Sequence, residues 1–178
     1  MSRLHVFAED NGASALLDTS DADAIAGALS EIGVVFERWP LKPLDADSDI
    51  LAVYADEVAR LTTHGGYRAI DVARIAPDHP ERAALRSKFL SEHTHAEDEV
   101  RFFVAGEGLF TLHHDRQVFT MLCCAGDLIS VPAGMRHWFD MGAAPSFTAI
   151  RLFLNPDGWV AAFTGSDIAT RFPRLERA

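Results

Sequence analysis

From residue 99 to residue 154, apolar and polar positions alternate in short runs: EVRFFVA, GLFTLHH, QVFTMLCCA, DLISVPA, RHWFDM and SFTAIRLFL. Turn-forming stretches separate them, namely AGEG, HDR, AGD, PAG, GAAP and NPDG. A period of two predicts strands with one buried face, and many short strands at this spacing predict an antiparallel sandwich or barrel. The first half reads differently. TSDADAIAGALSEIG (19–33) has Ser20 or Asp21 as a cap, apolar residues at Ile25, Leu29 and Ile32, and Gly33 as a stop, which predicts a helix. VVFERW (34–39) reads as a strand ended by Pro40. DSDILAVYADEVARLTTHGG (47–66) carries Ile50, Val53, Tyr54, Val58 and Leu61 at helical spacing and predicts one long helix. YRAIDVARI (67–75) alternates like a strand, and PERAALRSKFL (80–90) predicts a third helix with Pro80 in its first turn. The expected fold is mainly β: an antiparallel β-barrel with several helices, mostly N-terminal, packed outside it. At 178 residues one domain is expected over 1–178. It has a helical and mixed part (1–90), a β-barrel part (91–160) and a tail (161–178).

Composition narrows the function classes. With 48% hydrophobic and 24% charged residues the chain fits a soluble globular protein. Its formal net charge of −10 argues against nucleic-acid and anionic-membrane partners, which call for a basic patch. No apolar run approaches the roughly 20 residues of a membrane-spanning helix. MSRLHVFAED has no apolar core of a signal peptide. The only cysteines, Cys123 and Cys124, are adjacent and lie in an apolar run, so they read as buried thiols in a strand and fit a cytoplasmic location. No obvious apolar face is left for a partner, so a monomer is expected.

The candidate chemistry sits in HTHAEDE, residues 93–99. If 93–103 is one strand, alternation places His93, His95, Glu97, Glu99, Arg101 and Phe103 on one face, with Asp98 on the other. Two imidazoles and a carboxylate on one face suit Fe, Ni, Zn, Cu or Mn, and disfavour Ca or Mg. PAGMRHWF (132–139) offers a further ligand, His137, after a turn that follows the buried run DLISV. His5, His64, His79, His113 and His114 read as ordinary surface or core histidines.

These two segments resemble the cupin motifs. Residues 93–106, HTHAEDEVRFFVAG, are similar to His-x-His-x(3)-Glu-x(6)-Gly, and residues 126–137, GDLISVPAGMRH, to Gly-x(5)-Pro-x-Gly-x(2)-His. Lys88 stands where the first motif usually opens with Gly, and Met141 where the second usually closes with Asn. The fuller wording, HTHAEDEVRF with PAGMRHWFD and the flanks SKFLSEHTH and RLFLNPDGWV, resembles the acireductone dioxygenase family over most of residues 80–160. The resemblance implies a cupin-type jelly-roll and one divalent Fe2+ or Ni2+ per chain, held by His93, His95, Glu99 and His137. It implies O2-dependent cleavage of 1,2-dihydroxy-3-keto-5-(methylthio)pentene in methionine salvage. Iron gives 4-methylthio-2-oxobutanoate and formate; nickel gives 3-methylthiopropanoate, formate and CO. Further roles follow from the chemistry of such a site, for Arg101, and from the resemblance, for the others. Arg101 would stabilise a bound dianion, unless it only pairs with an acid such as Glu97. Asp98 would be the general base, although alternation turns it from the metal face, so a bulge or bend would have to re-aim it. Glu92 would bond near the metal, and Phe89, Phe139 and Trp159 would line the substrate pocket or simply pack in the core. Another metal-dependent cupin enzyme, or a cupin that only binds a ligand, is the alternative. The complete ligand set counts against the latter, and Glu99 counts against a three-histidine thiol dioxygenase.

Overall fold

The computed structural model describes residues 1–45 and 47–176. A hairpin of β1 (Arg3–Ala8) and β2 (Asn11–Thr19) leads into α1 (Ala22–Ser30), β3 (Val35–Arg38), α2 (Ile50–Val53), α3 (Ala55–Gly65), β4 (Ala69–Ile75) and α4 (Arg82–Phe89). There follow β5 (His93–Thr94), β6 (Glu99–His114), β7 (Gln117–Cys124), β8 (Asp127–Val131), β9 (Arg136–Asp140), β10 (Phe147–Phe153), β11 (Ala162–Phe163) and a 3-10 turn at Ile168–Arg171. The fold is mainly β and antiparallel, with few helices, as expected.

Two layers share β6. Its first half pairs with β8 and β10, which carry β3 and β4 outside them. Its second half pairs with β7 and β9, which extend to β1–β2 and to β5–β11. The pairings do not close a hydrogen-bonded cylinder, so the expected barrel is two sheets bridged by one long strand. Phe103, Phe110, Phe139 and Phe147 pack between the layers, and α1 adds Ile25 and Leu29 to this core. The outer face of the β6–β8–β10 layer buries Val100, Phe102, Val104, Leu128 and Ile150 under α2 and α3.

The structure departs from the sequence reading at four places. Residues 3–19 form an edge hairpin for which no element was expected. The helix expected over 47–66 is two, broken at Tyr54 (φ −102°, ψ 24°). Burial explains the break: the fully buried Tyr54 ring packs edge-on to Phe102, and its hydroxyl accepts the Lys42 amide at 2.9 Å. AGEG is no turn. It lies inside β6, where Gly106 (φ +73°) passes Ser146 so closely that a Cβ would fall 1.9 Å from its carbonyl oxygen. The register against β10 shifts there, with Ala149 opposite Phe103 but Thr148 opposite Ala105. This extra residue moves the inward face from Arg101 and Phe103 to Gly108, Phe110 and Leu112. Lastly, 93–103 is not one strand: β5 ends at Thr94 and the chain bends through Ala96–Glu97 before β6.

Candidate metal centre

The bend keeps the expected ligands together. β5 and β9 pair so that His93 faces His137, and the nitrogens of His93, His95 and His137 lie within 4.8 Å of one another. All three side chains are buried. Each Nδ1 meets a backbone carbonyl: His93 donates to Ser91 at 2.7 Å, His137 to Met135 at 2.8 Å, and His95 to Val160 at 3.1 Å. A carbonyl only accepts, so the proton sits on Nδ1 and the Nε2 lone pair is free. His137 Nε2 is buried and has no hydrogen-bond partner among the described residues, an arrangement that calls for a ligand. Glu99 Oε2 stands 3.5 Å from both His95 Nε2 and His137 Nε2. Three imidazole nitrogens and one carboxylate oxygen with these separations fit a single divalent transition-metal ion.

Electrostatics favour the ligand states. Burial pushes His93 down to about 4, with nearby His137 and His95 adding to it and the Ser91 carbonyl opposing. Burial also lowers His95, against the opposing pull of Glu99. Both rings are therefore neutral near pH 7. Burial alone would raise the Glu99 carboxyl. The adjacent Arg101 guanidinium leads the groups that outweigh it and hold the carboxyl well below the usual carboxylate range. A testable consequence concerns the metal-free chain. Its unfolded state binds a proton at a histidine with an ordinary value near 6.5, whereas folded His93 resists protonation until about pH 4. The stability from His93 is thus complete above about pH 6.5 and is lost as pH falls towards 4, to a total of about 3 kcal/mol. His95 acts in the same direction, and Asp127, raised by burial, opposes it. Urea unfolding of metal-free protein should give lower stability at pH 4.5 than at pH 7. Equal stability would contradict this account.

The site opens into a cavity of about 350 Å³. Phe89 from α4, Phe139 from β9 and Trp159, all expected there, line it, as does Arg101. Trp159 is 53% exposed at the mouth, with Lys88 Nζ 5.7 Å from its ring centre. Arg101 donates to Glu99 Oε1 at 2.5 Å and not to Glu97, and its Nε is buried without a partner. Two expected site residues lie outside the cavity lining. Glu92 does not line the cavity. Its carboxylate accepts from His113 Nδ1 and Thr164 Oγ1, both at 2.6 Å, just behind His93. Asp98 does not line it either. Its Oδ1 accepts the Ala133 amide at 2.8 Å, while the Gly134 amide donates to the His95 carbonyl at 2.9 Å. The bend frees Asp98 from the strand but turns it to the turn preceding His137. Its bond to Ala133 ties the two ligand-bearing segments together. Glu97 accepts from the Asn155 amide at 2.8 Å.

Several lining residues escaped the sequence reading: Asp71, Lys88 and Arg151 among the charged, Phe110, Phe153 and Phe163 among the aromatic. Arg151 lies opposite Arg101 on β6 and opposite Asp71 on β4, and it pairs with Asp71 through two bonds of 2.8 and 2.6 Å. The available signal was a lone cation inside the apolar run SFTAIRLFL.

Comparison with known proteins agrees with this geometry. Residues 3–161 match the model of the ARD/ARD' family. A curated acireductone dioxygenase of Parasynechococcus marenigrum (strain WH8102) is 59% identical over 186 residues, spanning 99% of this chain and 100% of the relative. One from Parvibaculum lavamentivorans is 55% identical over 180 residues, covering 99% and 98%. Among solved structures, an acireductone dioxygenase from Bacillus anthracis, with a cadmium ion in its active centre, superposes with a TM-score of 0.80 at 32% identity. That match covers 92% of this chain and 98% of the other. With a family match over most of its length and relatives aligned end to end, this chain belongs to the ARD/ARD' family.

Proposed function

We propose that the chain is an acireductone dioxygenase, a single cupin domain acting as a monomer in the cytoplasm on 1,2-dihydroxy-3-keto-5-(methylthio)pentene and O2. The observation that carries this is the convergence of three free Nε2 atoms and Glu99 Oε2 at the floor of a small, aromatic-walled cavity. His93, His95, His137 and Glu99 would hold one Fe2+ or Ni2+. When bound, the ion supplies a Lewis acid and a template for the two enediolate oxygens. The chain's own residues do the rest. Arg101 fixes Glu99 through Oε1, which leaves Oε2 towards the histidines, and its unpartnered Nε is a donor for an anionic substrate oxygen. Leu85 and Phe89 offer apolar surface for the methylthio tail, while Phe110, Phe139 and Phe153 exclude water. Asp98 and Glu92 have no contact with the reacting atoms in this reading and act by holding ligand segments in place. Among the described residues no helix is long and apolar enough to cross a membrane.

Reconstitution with each metal tests the proposal. With the enediol and O2, the iron form should yield formate and 4-methylthio-2-oxobutanoate, and the nickel form CO, formate and 3-methylthiopropanoate. Absence of substrate-dependent O2 uptake from both forms would overturn it.

A further inference from the structure

We propose that Gly108 is a positioning residue of the metal centre: its missing side chain seats the Phe139 ring, which with Phe110 forms the surface that backs Arg101 against Glu99. This rests on the assignment of Glu99 and its histidines as metal ligands. Gly108 lies outside both ligand-bearing segments, 93–106 and 126–137. Its φ is not in the left-handed region, so the backbone there does not require glycine. Space does. A Cβ at 108 would lie 2.3 Å from Phe139 Cζ and 2.5 Å from Cε2, far inside van der Waals contact.

The ring has little room to retreat. Phe110, Phe147, Phe103 and Phe89 surround it with centroid separations of 5.0, 5.6, 6.4 and 6.5 Å. Close-packed interiors respond to such an intrusion by shifting their neighbours. One neighbour is the Arg101 guanidinium, whose central carbon lies 4.6 Å from the Phe139 ring centre and 4.7 Å from that of Phe110. Cation–π contact with these two adjoining rings, whose centroids are 5.0 Å apart, seats the guanidinium from one side. That seat decides whether Nη2 reaches Glu99 Oε1, the 2.5 Å bond that leaves Oε2 facing His95 and His137. An added methyl at 108 therefore acts on the carboxylate ligand through two intervening side chains.

The test is Ni2+ affinity, measured by competition with a chelator on the full chain. Gly108→Ala should weaken binding about 10- to 100-fold, the range for residues that orient a metal ligand. The same change made in a Phe139→Leu background, or in an Arg101→Met background, should alter affinity less than twofold, because the path is already cut. A merely structural role would lower the stability of Gly108→Ala and leave its Ni2+ affinity alone. Wild-type Ni2+ affinity in Gly108→Ala, or effects that multiply in the double variants, would overturn the proposal. If Gly108→Ala does not fold, the double variant with Phe139→Leu decides: folding with the affinity of Phe139→Leu supports the proposal, and failure to fold overturns it. A wild-type chain that binds no Ni2+ overturns the ligand assignment itself, a separate failure.

Discussion

His137→Ala is expected to lose bound metal and O2-dependent turnover together, each by at least about 100-fold. Replacing residues that only orient a ligand costs roughly 10–100-fold, so removing a ligand costs no less. The particular geometry sharpens the expectation. His137 faces His93 across the β5–β9 pair, and its Nδ1 is fixed by the Met135 carbonyl. Its buried Nε2 has no hydrogen-bond partner among the described residues, so the Met135 bond is the one hydrogen bond that the substitution removes there. Loss of function should accordingly occur without loss of fold. Metal analysis after dialysis, circular dichroism and O2 uptake on the same preparation check this. Full metal content in the folded variant would disprove the four-ligand arrangement.

Asp140→Ala should cost about 3–5 kcal/mol of stability, the range for removing one partner of a buried ion pair. Asp140 is 1% exposed and accepts four hydrogen bonds: Arg86 Nε at 2.7 Å, Arg86 Nη2 at 3.0 Å, the Gly142 amide at 2.8 Å and the Leu175 amide at 2.9 Å. Burial by itself would raise its carboxyl; Arg86 and the two amides outweigh that and hold it below the usual range. The variant leaves a largely buried guanidinium and two amides without their acceptor. A chain of this size should then melt roughly 10 °C lower. Arg86 is on α4, which also carries Phe89, so the tie that stabilises the fold also holds one wall of the cavity. Chemical denaturation should show the loss, with Asp140→Asn recovering part of it. A loss below about 1 kcal/mol would show that the pair is dispensable.

Legibility followed the range of the interactions. Alternation reported the face of Glu99, Arg101 and Phe103 correctly, because pleating is local. It did not show the bend that interrupts the strand over 95–98, which is set by the Ala133 and Gly134 amides donating to Asp98 and to the His95 carbonyl from 35 or more residues away. The histidines were conspicuous through their spacing. Asp71 and Arg151 were not, since only the pairing of β4, β10 and β6 aligns them with Arg101. The single helix expected over 47–66 failed for a similar reason. Its apolar spacing is helical throughout, but burying the Tyr54 ring against Phe102 overrides local propensity.

The sequence by itself determined the mainly β character, the position of most strands and helices, and the identity of the four candidate ligands. These depend on residue type and short spacing, which the covalent chain imposes directly. Tertiary structure alone decided what Asp98 and Glu92 bond to, how three Nδ1 atoms are satisfied, and which distant residues wall the cavity. Such features depend on strand register, and on close packing in which one absent methyl group, at Gly108, gives a phenyl ring its place.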